Sequence, residues 1–172
     1  MTIAIRPIVS ADVPAITRIY AHAVEHGTAS FELTPPDQAE IARRMNDLTG
    51  KGYPYLAADI DGALAGYAYA GPYRARPAYR LTIEDSVYIA PEARRRGVGR
   101  TLLAALIDAA AARGYRQMIA VILSAYPPRT AAADEPGIAA DSPRTTHNAD
   151  ARALILRRPT SVVRVTGQRS HD

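Results

Sequence analysis

Residues 84–103 place a carboxylate, a run of arginines and a Gly-x-Gly turn within one short stretch of the chain. An apolar segment from Val87 to Ile89 ends at Pro91, and a helix with apolar periodicity begins at Gly99. A strand, a glycine turn and a helix start leave several backbone N–H groups without an internal partner. These donors and the positive end of the helix dipole together attract phosphate. Four arginines add positive charge around them: Arg94, Arg95, Arg96 and Arg100. The pattern predicts a loop that binds pyrophosphate.

The glycine spacing separates this loop from two other phosphate-binding loops. A Walker loop requires Gly-x-x-x-x-Gly-Lys-Ser/Thr, and the only lysine of the chain is Lys51. A dinucleotide-binding fingerprint requires a third glycine three residues after Gly99, where the chain has Leu102. One alternative from the residues alone is a solvated arginine run in front of an ordinary helix.

The spacing Arg94-x-x-Gly97-x-Gly99 resembles the acyl-CoA loop of the GCN5-related N-acetyltransferases, the GNAT family. The resemblance implies acetyl-CoA as co-substrate. It also implies the GNAT fold, an α/β (α+β) fold in which two parallel strands of a mixed central sheet splay apart. The residues expected to contact the cofactor are Val87, Tyr88, Ile89, Arg94, Arg95, Arg96, Gly97, Val98, Gly99 and Arg100.

A longer stretch narrows this resemblance to one subfamily. Residues 69–88 read YAGPYRARPAYRLTIEDSVY and are similar to the phosphinothricin N-acetyltransferases and the methionine sulfoximine and sulfone acetyltransferases. Residues 28–32 and 52–56 match as well, so that the resemblance covers about residues 3–122. It implies acetyl transfer to the α-amine of a small amino acid or analogue, by a cytoplasmic homodimer.

Glu84 is the expected catalytic residue. An amino-acid ammonium, with a pKa on the order of 8, must lose a proton before it attacks a thioester. By resemblance Glu84 is the general base, directly or through a water. A strand-end acid paired with an arginine is the alternative. A backbone N–H, such as that of Val87 or Tyr88, is the simplest donor for the oxyanion.

The substrate-binding residues are also implied by the resemblance. Arg74 and Arg76 would hold the carboxylate and the phosphinate or sulfone oxygens, which suit the planar guanidinium fork. Tyr79 and Phe31 would line the slot for the side chain. A solvated loop is the alternative for the two arginines, and a plain core position is the alternative for Phe31. Asp85 and Ser86 adjoin Glu84 but carry no signal of their own.

Composition narrows the classes of function. With 172 residues and 48% hydrophobic residues, the chain is long enough for a domain with a real core. The absence of cysteine excludes a thiol nucleophile and a disulfide scaffold. The four histidines show no metal-ligand spacing, and no apolar run approaches the roughly 20 residues of a membrane span. The net charge of +4 comes from arginine, and without interleaved aromatics it does not predict nucleic-acid binding.

Local patterns predict the element order β-α-α-β-β-β-α-β over residues 1–122, the acetyltransferase core. Asp61-Gly62 is the strongest hairpin signal. Ser10 is expected to cap the first helix and Thr34 the second. The predicted strands are 2–8, 53–60, 64–70, 82–89 and 116–122, and the predicted helices are 10–27, 34–48 and 99–113.

The resemblance breaks after Ile122, so residues 123–172 form a divergent tail. Residues 123–146 lack periodicity and are predicted to be irregular. A short helix is expected at Asn148–Leu156 and a strand at Ser161–Thr166, which could cover the edge of the strand at 116–122. A shifted reading frame in a GC-rich gene would produce such a tail. Because the tail lacks the family pattern, an alternative function is a CoA-binding domain with little turnover.

Overall fold

The computed structural model describes residues 2–27, 32–123 and 151–156. Within them, six strands form one sheet in chain order, and all neighbours are antiparallel except β4 and β5, which are parallel. The strands are β1 Ile3–Pro7, β2 Tyr55–Ile60, β3 Ala63–Pro72, β4 Thr82–Ile89, β5 Gln117–Leu123 and β6 Ala151–Leu156. The helices are α1 Val13–His26, α2 Gln38–Gly50 and α3 Val98–Ala112. The predicted mixed α/β fold is confirmed, and a strand not predicted from the sequence lies at residues 151–156.

The β2–β3 hairpin confirms the strongest turn signal. Asp61 and Gly62 have φ angles of 50° and 81°. Positive φ at both central positions is the type I′ arrangement, whose twist matches that of the flanking strands. The register shifts between Ala58 and Asp59 of β2, where Ala65 is an extra residue in β3, and the two strands then remain paired as far as Tyr55 and Tyr69.

The helix starts differ from the predicted caps. A short 3₁₀ turn, Ser10–Asp12, precedes α1, so that the helix begins at Val13 rather than directly after Ser10. The predicted cap Thr34 is wrong, because Asp37 caps α2 and its side chain accepts a hydrogen bond from the Glu40 N–H at 2.8 Å. A carboxylate directly before the helix satisfies a donor that Thr34 is too far away to reach.

The helices cover opposite faces of the sheet. Tyr20 of α1 packs edge-on against Tyr88 of β4, with ring centroids 5.0 Å apart. On the other face, a methyl group built on Gly99 of α3 would lie 3.7 Å from the Ile89 side chain. Because side chains alternate along a strand, Glu84 shares the face of Tyr88, whereas Asp85 shares the face of Ile89. The two acids therefore point to different layers of the protein.

The tail adds a strand where a helix was expected. Residues 151–156 pair antiparallel with β5 from Met118↔Leu156 to Leu123↔Ala151, so the helix predicted at Asn148–Leu156 is wrong. The free edge of β5 offers a complete ladder of hydrogen bonds, whereas an isolated helix of this length is marginal. Residue 123 belongs to β5. Residues 124–146 and 161–166, which carry the other predictions for the tail, lie outside the described residues.

Candidate functional site

The parallel strands β4 and β5 separate partway along their length. Their ladder runs from Thr82↔Gln117 to Asp85↔Ala120 and then stops, although β4 continues to residue 89 and β5 to residue 123. On its other side, β4 stays paired with β3 as far as Gly66↔Ile89. Residues 86–89 and 121–123 therefore border a gap, called the wedge below, in which backbone groups of β4 have no strand partner. The predicted splay is confirmed.

The loop of residues 94–100, called the arginine loop below, leads from the wedge into α3. Arg95 and Gly97 adopt the left-handed conformation, with φ angles of 59° and 83°. Thr101 donates the first hydrogen bond of α3, to the Gly97 carbonyl oxygen at 3.1 Å. The N–H groups of Val98 and Gly99 precede it, so no carbonyl of the helix is available to them. The side chains of Arg94, Arg95, Arg96 and Arg100 are exposed around this helix start.

The two glycines of the loop are needed for different reasons. Gly97 has open space around it, and its positive φ is the conformation that favours glycine. A Cβ at Gly99 would meet Ile89 at 3.7 Å, which is ordinary van der Waals contact. The described protein therefore does not itself exclude a side chain at Gly99. Close approach of a ligand to the helix start would give that glycine a purpose.

Glu84 lies in β4, in the next-to-last residue pair of the β4–β5 ladder before the wedge. Gly71 of β3 and Ile119 of β5 are its neighbours across the sheet. Burial raises the pKa of the Glu84 carboxyl above its ordinary value. Glu84 forms no ion pair with any arginine of the described residues, so the structure gives no support to the alternative of a structural acid. A half-buried carboxylate that has no ion-pair partner in the described part of the chain remains able to accept a proton.

Asp85 carries a signal that the sequence did not reveal. Its Oδ1 atom is buried and has no hydrogen-bond partner within the described part of the chain. Burial, assisted by the charge of Glu84, raises the pKa of Asp85 to about 7. The only hint in the sequence is the adjacency of two acids in a strand, which sends Asp85 to the face opposite Glu84.

The loop between β3 and β4 brings together two of the predicted substrate residues. The guanidinium of Arg74 lies 5.1 Å from the ring centroid of Tyr73 and 5.8 Å from that of Tyr79. Pro72↔Ile83 is the β3–β4 residue pair nearest to this loop, and Gly71↔Glu84 is the second nearest. Arg74 and Tyr79 thus stand at the Glu84 end of β4.

The other predicted substrate residues are not part of that cluster. Arg76 is exposed, precedes the 3₁₀ turn Pro77–Tyr79 and stacks on neither ring. Phe31 lies outside the described residues. Its role therefore stays a prediction.

A cavity of about 220 Å³ opens on the face of the sheet that carries Glu84. A Cβ at Gly71, which is paired with Glu84, would lie 3.5 Å from Leu48 Cδ2 in the cavity wall. Burial raises the pKa values of Tyr55 and Tyr67 in the wall well above the ordinary value, so their hydroxyls stay neutral. The lining residues are Tyr20, Ile41, Arg43, Arg44, Asp47, Leu48, Tyr55, Tyr67 and Tyr69. Sequence patterns missed this tyrosine cluster, because strand register and the packing of α1 on the sheet bring these rings together.

An ion-pair network fixes the rim of the cavity. Arg44 bonds both Glu32 and Glu40, and Arg43 bonds Glu40 at 2.7 Å. The hydrogen bonds from Arg43 and Arg44 lower the pKa of Glu40 to about 2. Glu32 also accepts a hydrogen bond from the Tyr20 hydroxyl at 3.1 Å. The network ties α2 to α1 and to the chain at residue 32.

No described helix is long and apolar enough to cross a membrane. No group of three potential metal-ligating side chains occurs among the residues that the structure describes.

Comparison with known proteins agrees with this architecture. A sequence model of the Acetyltransferase (GNAT) family matches residues 16–133, and the chain belongs to this family. The phosphinothricin N-acetyltransferase of Alcaligenes faecalis is 58% identical over 109 residues, which are 63% of this chain and 55% of that protein. The L-methionine sulfoximine/L-methionine sulfone acetyltransferase of Pseudomonas aeruginosa is 40% identical over 125 residues, 72% of this chain and 73% of that protein.

Two solved structures share the fold. A phosphinothricin acetyltransferase from Sinorhizobium meliloti, in complex with AcCoA, has a TM-score of 0.69 and 51% identity, covering 71% of this chain and 66% of that one. A putative acetyltransferase from Salmonella typhimurium, with acetyl-CoA, has a TM-score of 0.80 and 31% identity, covering 90% and 93%. The chain spans 55% and 64% of the lengths of the phosphinothricin N-acetyltransferases of A. faecalis and Streptomyces viridochromogenes.

Proposed function

We propose that the chain is an acetyl-CoA-dependent N-acetyltransferase that acts on the α-amine of a small amino acid or analogue, of the phosphinothricin or methionine sulfone type. The observation that carries this proposal is the position of Glu84. Glu84 has no ion-pair partner among the described residues, and it lies where the β4–β5 ladder is about to end, before a strand, loop and helix start suited to phosphate. The named relatives and the two structures with acetyl-CoA support the same substrate classes.

The residues around the wedge suit acetyl-CoA, which would supply the activated acetyl thioester. The N–H groups at the start of α3 and the exposed cations of the arginine loop match a pyrophosphate in charge and hydrogen bonding. The segment from Val87 to Ile89, which has no partner on the β5 side, offers backbone donors and acceptors to an amide-containing arm. The open space around Gly97 would allow close approach to the helix start.

Glu84 would accept the proton that the substrate ammonium must lose. Its raised pKa makes it a stronger base, because the pKa of the carboxyl group then lies closer to the pKa of the amine. Arg74, held between Tyr73 and Tyr79, would bind the substrate carboxylate, and Arg76 would contact a second acidic group. The tyrosine-lined cavity on the same face would take the substrate side chain. The homodimer and the cytoplasmic location remain predictions.

The test is release of free thiol from acetyl-CoA with methionine sulfone or phosphinothricin as acceptor, using the full chain. We expect wild-type turnover, and a loss of roughly 100-fold or more in kcat for Glu84→Gln at pH 7 with unchanged acetyl-CoA affinity. The loss should shrink at high pH, where the amine is already neutral. Glu25→Gln, at an exposed acid of α1, is the matched control and should be fully active.

Two outcomes would contradict the proposal in different ways. Wild-type kcat in Glu84→Gln at pH 7 would remove Glu84 from the mechanism. Acetyl-CoA binding without turnover of either acceptor would favour the other function, a CoA-binding domain with little activity. This alternative rests on the predicted divergence of residues 123–172 from the family pattern.

A further inference from the structure

Asp85 is the last residue of β4 in the ladder with β5, and it therefore stands at the closed end of the wedge. Its cross-strand neighbours are Ala70 on β3 and Ala120 on β5. Neither alanine offers a polar side chain, and both are short enough to leave room beside the carboxyl group. These neighbours explain why Asp85 Oδ1 is buried without a hydrogen bond among the described residues.

A buried carboxyl oxygen without a partner destabilises a fold and calls for an explanation. The face of the sheet that carries Asp85 is covered by α3, whose buried residues are apolar: Val98, Leu102, Leu106 and Ala110. The paired residues of β3 and β5 beside it are uncharged as well. Glu84, the preceding residue, is the charged group that acts on it. The backbone N–H of Asp85 itself interacts with the carboxyl group. Its Oδ1 atom has no partner among the described residues, and this atom is therefore available to a bound molecule.

We propose that the Asp85 carboxyl group donates a hydrogen bond to an amide carbonyl oxygen of the pantetheine arm of acyl-CoA, at the closed end of the wedge. This rests on the proposed function, in that acyl-CoA is the ligand. A secondary amide is the chemistry that fits: it is uncharged, it is linear enough to enter between two strands, and its oxygen accepts one hydrogen bond.

The protonation state fits a donor. Because burial raises the pKa of Asp85 to about 7, a large share of the protein carries the proton at neutral pH. A bond made only by the protonated form couples ligand affinity to pH: the affinity should fall as the pH rises through the pKa of the free protein. An ionised Asp85 that accepted a hydrogen bond from an amide N–H would give the opposite slope.

The experiment measures the dissociation constants of coenzyme A and ADP by isothermal titration calorimetry at pH 6 and pH 8. ADP carries the pyrophosphate without the pantetheine arm. The proteins are the full wild-type chain, Asp85→Asn and Asp85→Ala. The phosphates of both ligands also titrate, so each variant is compared with wild type at the same pH.

We expect coenzyme A to bind wild type up to tenfold more weakly at pH 8 than at pH 6, after correction for ADP. Asp85→Asn keeps a neutral N–H donor, so it should hold the pH 6 affinity without that pH dependence. Asp85→Ala should bind coenzyme A more weakly at both pH values and ADP normally. In Glu84→Gln, loss of the neighbouring charge should move the midpoint of the wild-type pH dependence to lower pH.

Two results would overturn the inference. One is an identical pH dependence of coenzyme A binding in wild type and Asp85→Asn, and the other is wild-type affinity in Asp85→Ala. In both cases the proposed function would stand, because coenzyme A still binds. Failure of wild type to bind either coenzyme A or ADP would refute the cofactor assignment itself, and the Asp85 proposal with it. Circular dichroism spectra that match wild type show that each variant is folded.

Discussion

Replacing Asp85 by Asn should stabilise the free protein at alkaline pH and leave it nearly unchanged in acid. The substitution keeps the size and shape of the side chain and removes its ability to ionise. In the folded protein the pKa of Asp85 is raised by burial to about 7, from an ordinary value of 3.8. The folded chain therefore holds a proton that the unfolded chain has already released over this range of pH.

The sign and size of the effect follow from this difference. Below pH 3.8 both states are protonated, and Asp85 has no effect on the pH dependence of stability. Between about 4 and 7 the unfolded state binds fewer protons, so wild-type stability falls by up to about 1.4 kcal/mol per pH unit. Above pH 7 the loss is complete. A difference of about three units corresponds to roughly 4 kcal/mol in total, of which about 2 to 3 kcal/mol lies between pH 5 and pH 8.

The assay is urea denaturation of both proteins at pH 5 and pH 8, without ligand. The free energy of unfolding of Asp85→Asn should exceed that of wild type by about 2 to 3 kcal/mol more at pH 8 than at pH 5. The other titrating groups are the same in both proteins, so their effects cancel in this comparison. Asp61→Asn, at an exposed carboxylate of the hairpin turn, is the control and should show no such change. An advantage that is equal at both pH values, or a variant less stable at pH 8, would refute the assignment of a buried, protonated Asp85.

Three further predictions concern the wedge and its surroundings. Gly99→Val should weaken acetyl-CoA binding tenfold or more by calorimetry, about 1.4 kcal/mol, while the fold stays intact; unchanged affinity would refute the phosphate site at α3. Arg76→Ala should raise the KM for methionine sulfone, through loss of a charge-assisted contact worth about 1.5 to 3 kcal/mol, without raising that for acetyl-CoA. A parallel rise in both constants would assign Arg76 to the fold instead. Gly66→Ala should lower the free energy of unfolding by about 1 to 3 kcal/mol in urea titrations, because its Cβ would lie 2.8 Å from Ile89 Cδ1 and from the Tyr88 carbonyl oxygen. Wild-type stability in that variant would show that β4 yields easily beside the wedge.

Local signals predicted the elements of the core well. The bounds of β4, Thr82–Ile89, were predicted to the residue. Apolar residues mark the strand, and a proline follows its end. The Asp61-Gly62 turn fixed the β2–β3 hairpin, since few residue pairs adopt two positive φ angles. The strand β5 was predicted one residue early at both ends. In each case the information lies within a few residues of the element it determines.

The tail was mispredicted because its structure depends on a distant partner. Residues 151–156 pair with β5, more than 25 positions away in the chain, and periodicity within the segment does not report that edge. The same reason hid the cavity wall, since Tyr20, Tyr55 and Tyr69 come from three separate elements. Glu84 could be proposed as the general base from its neighbours in sequence, through their resemblance to a family. The unsatisfied state of Asp85 could not, because it follows from alanines on two other strands.

Glu84 and Asp85 are adjacent acids to which we assign two different proposed roles, a general base and a hydrogen-bond donor. Adjacent positions in a strand send them to opposite faces, and burial at the wedge raises both pKa values. The charge of Glu84 adds to the effect of burial on the pKa of Asp85, whereas burial alone raises the pKa of Glu84. An ionised Glu84, which the proposed base requires, therefore favours the protonated form of Asp85, which the proposed donor requires. The two proposed roles are compatible because one needs the charge and the other needs the proton.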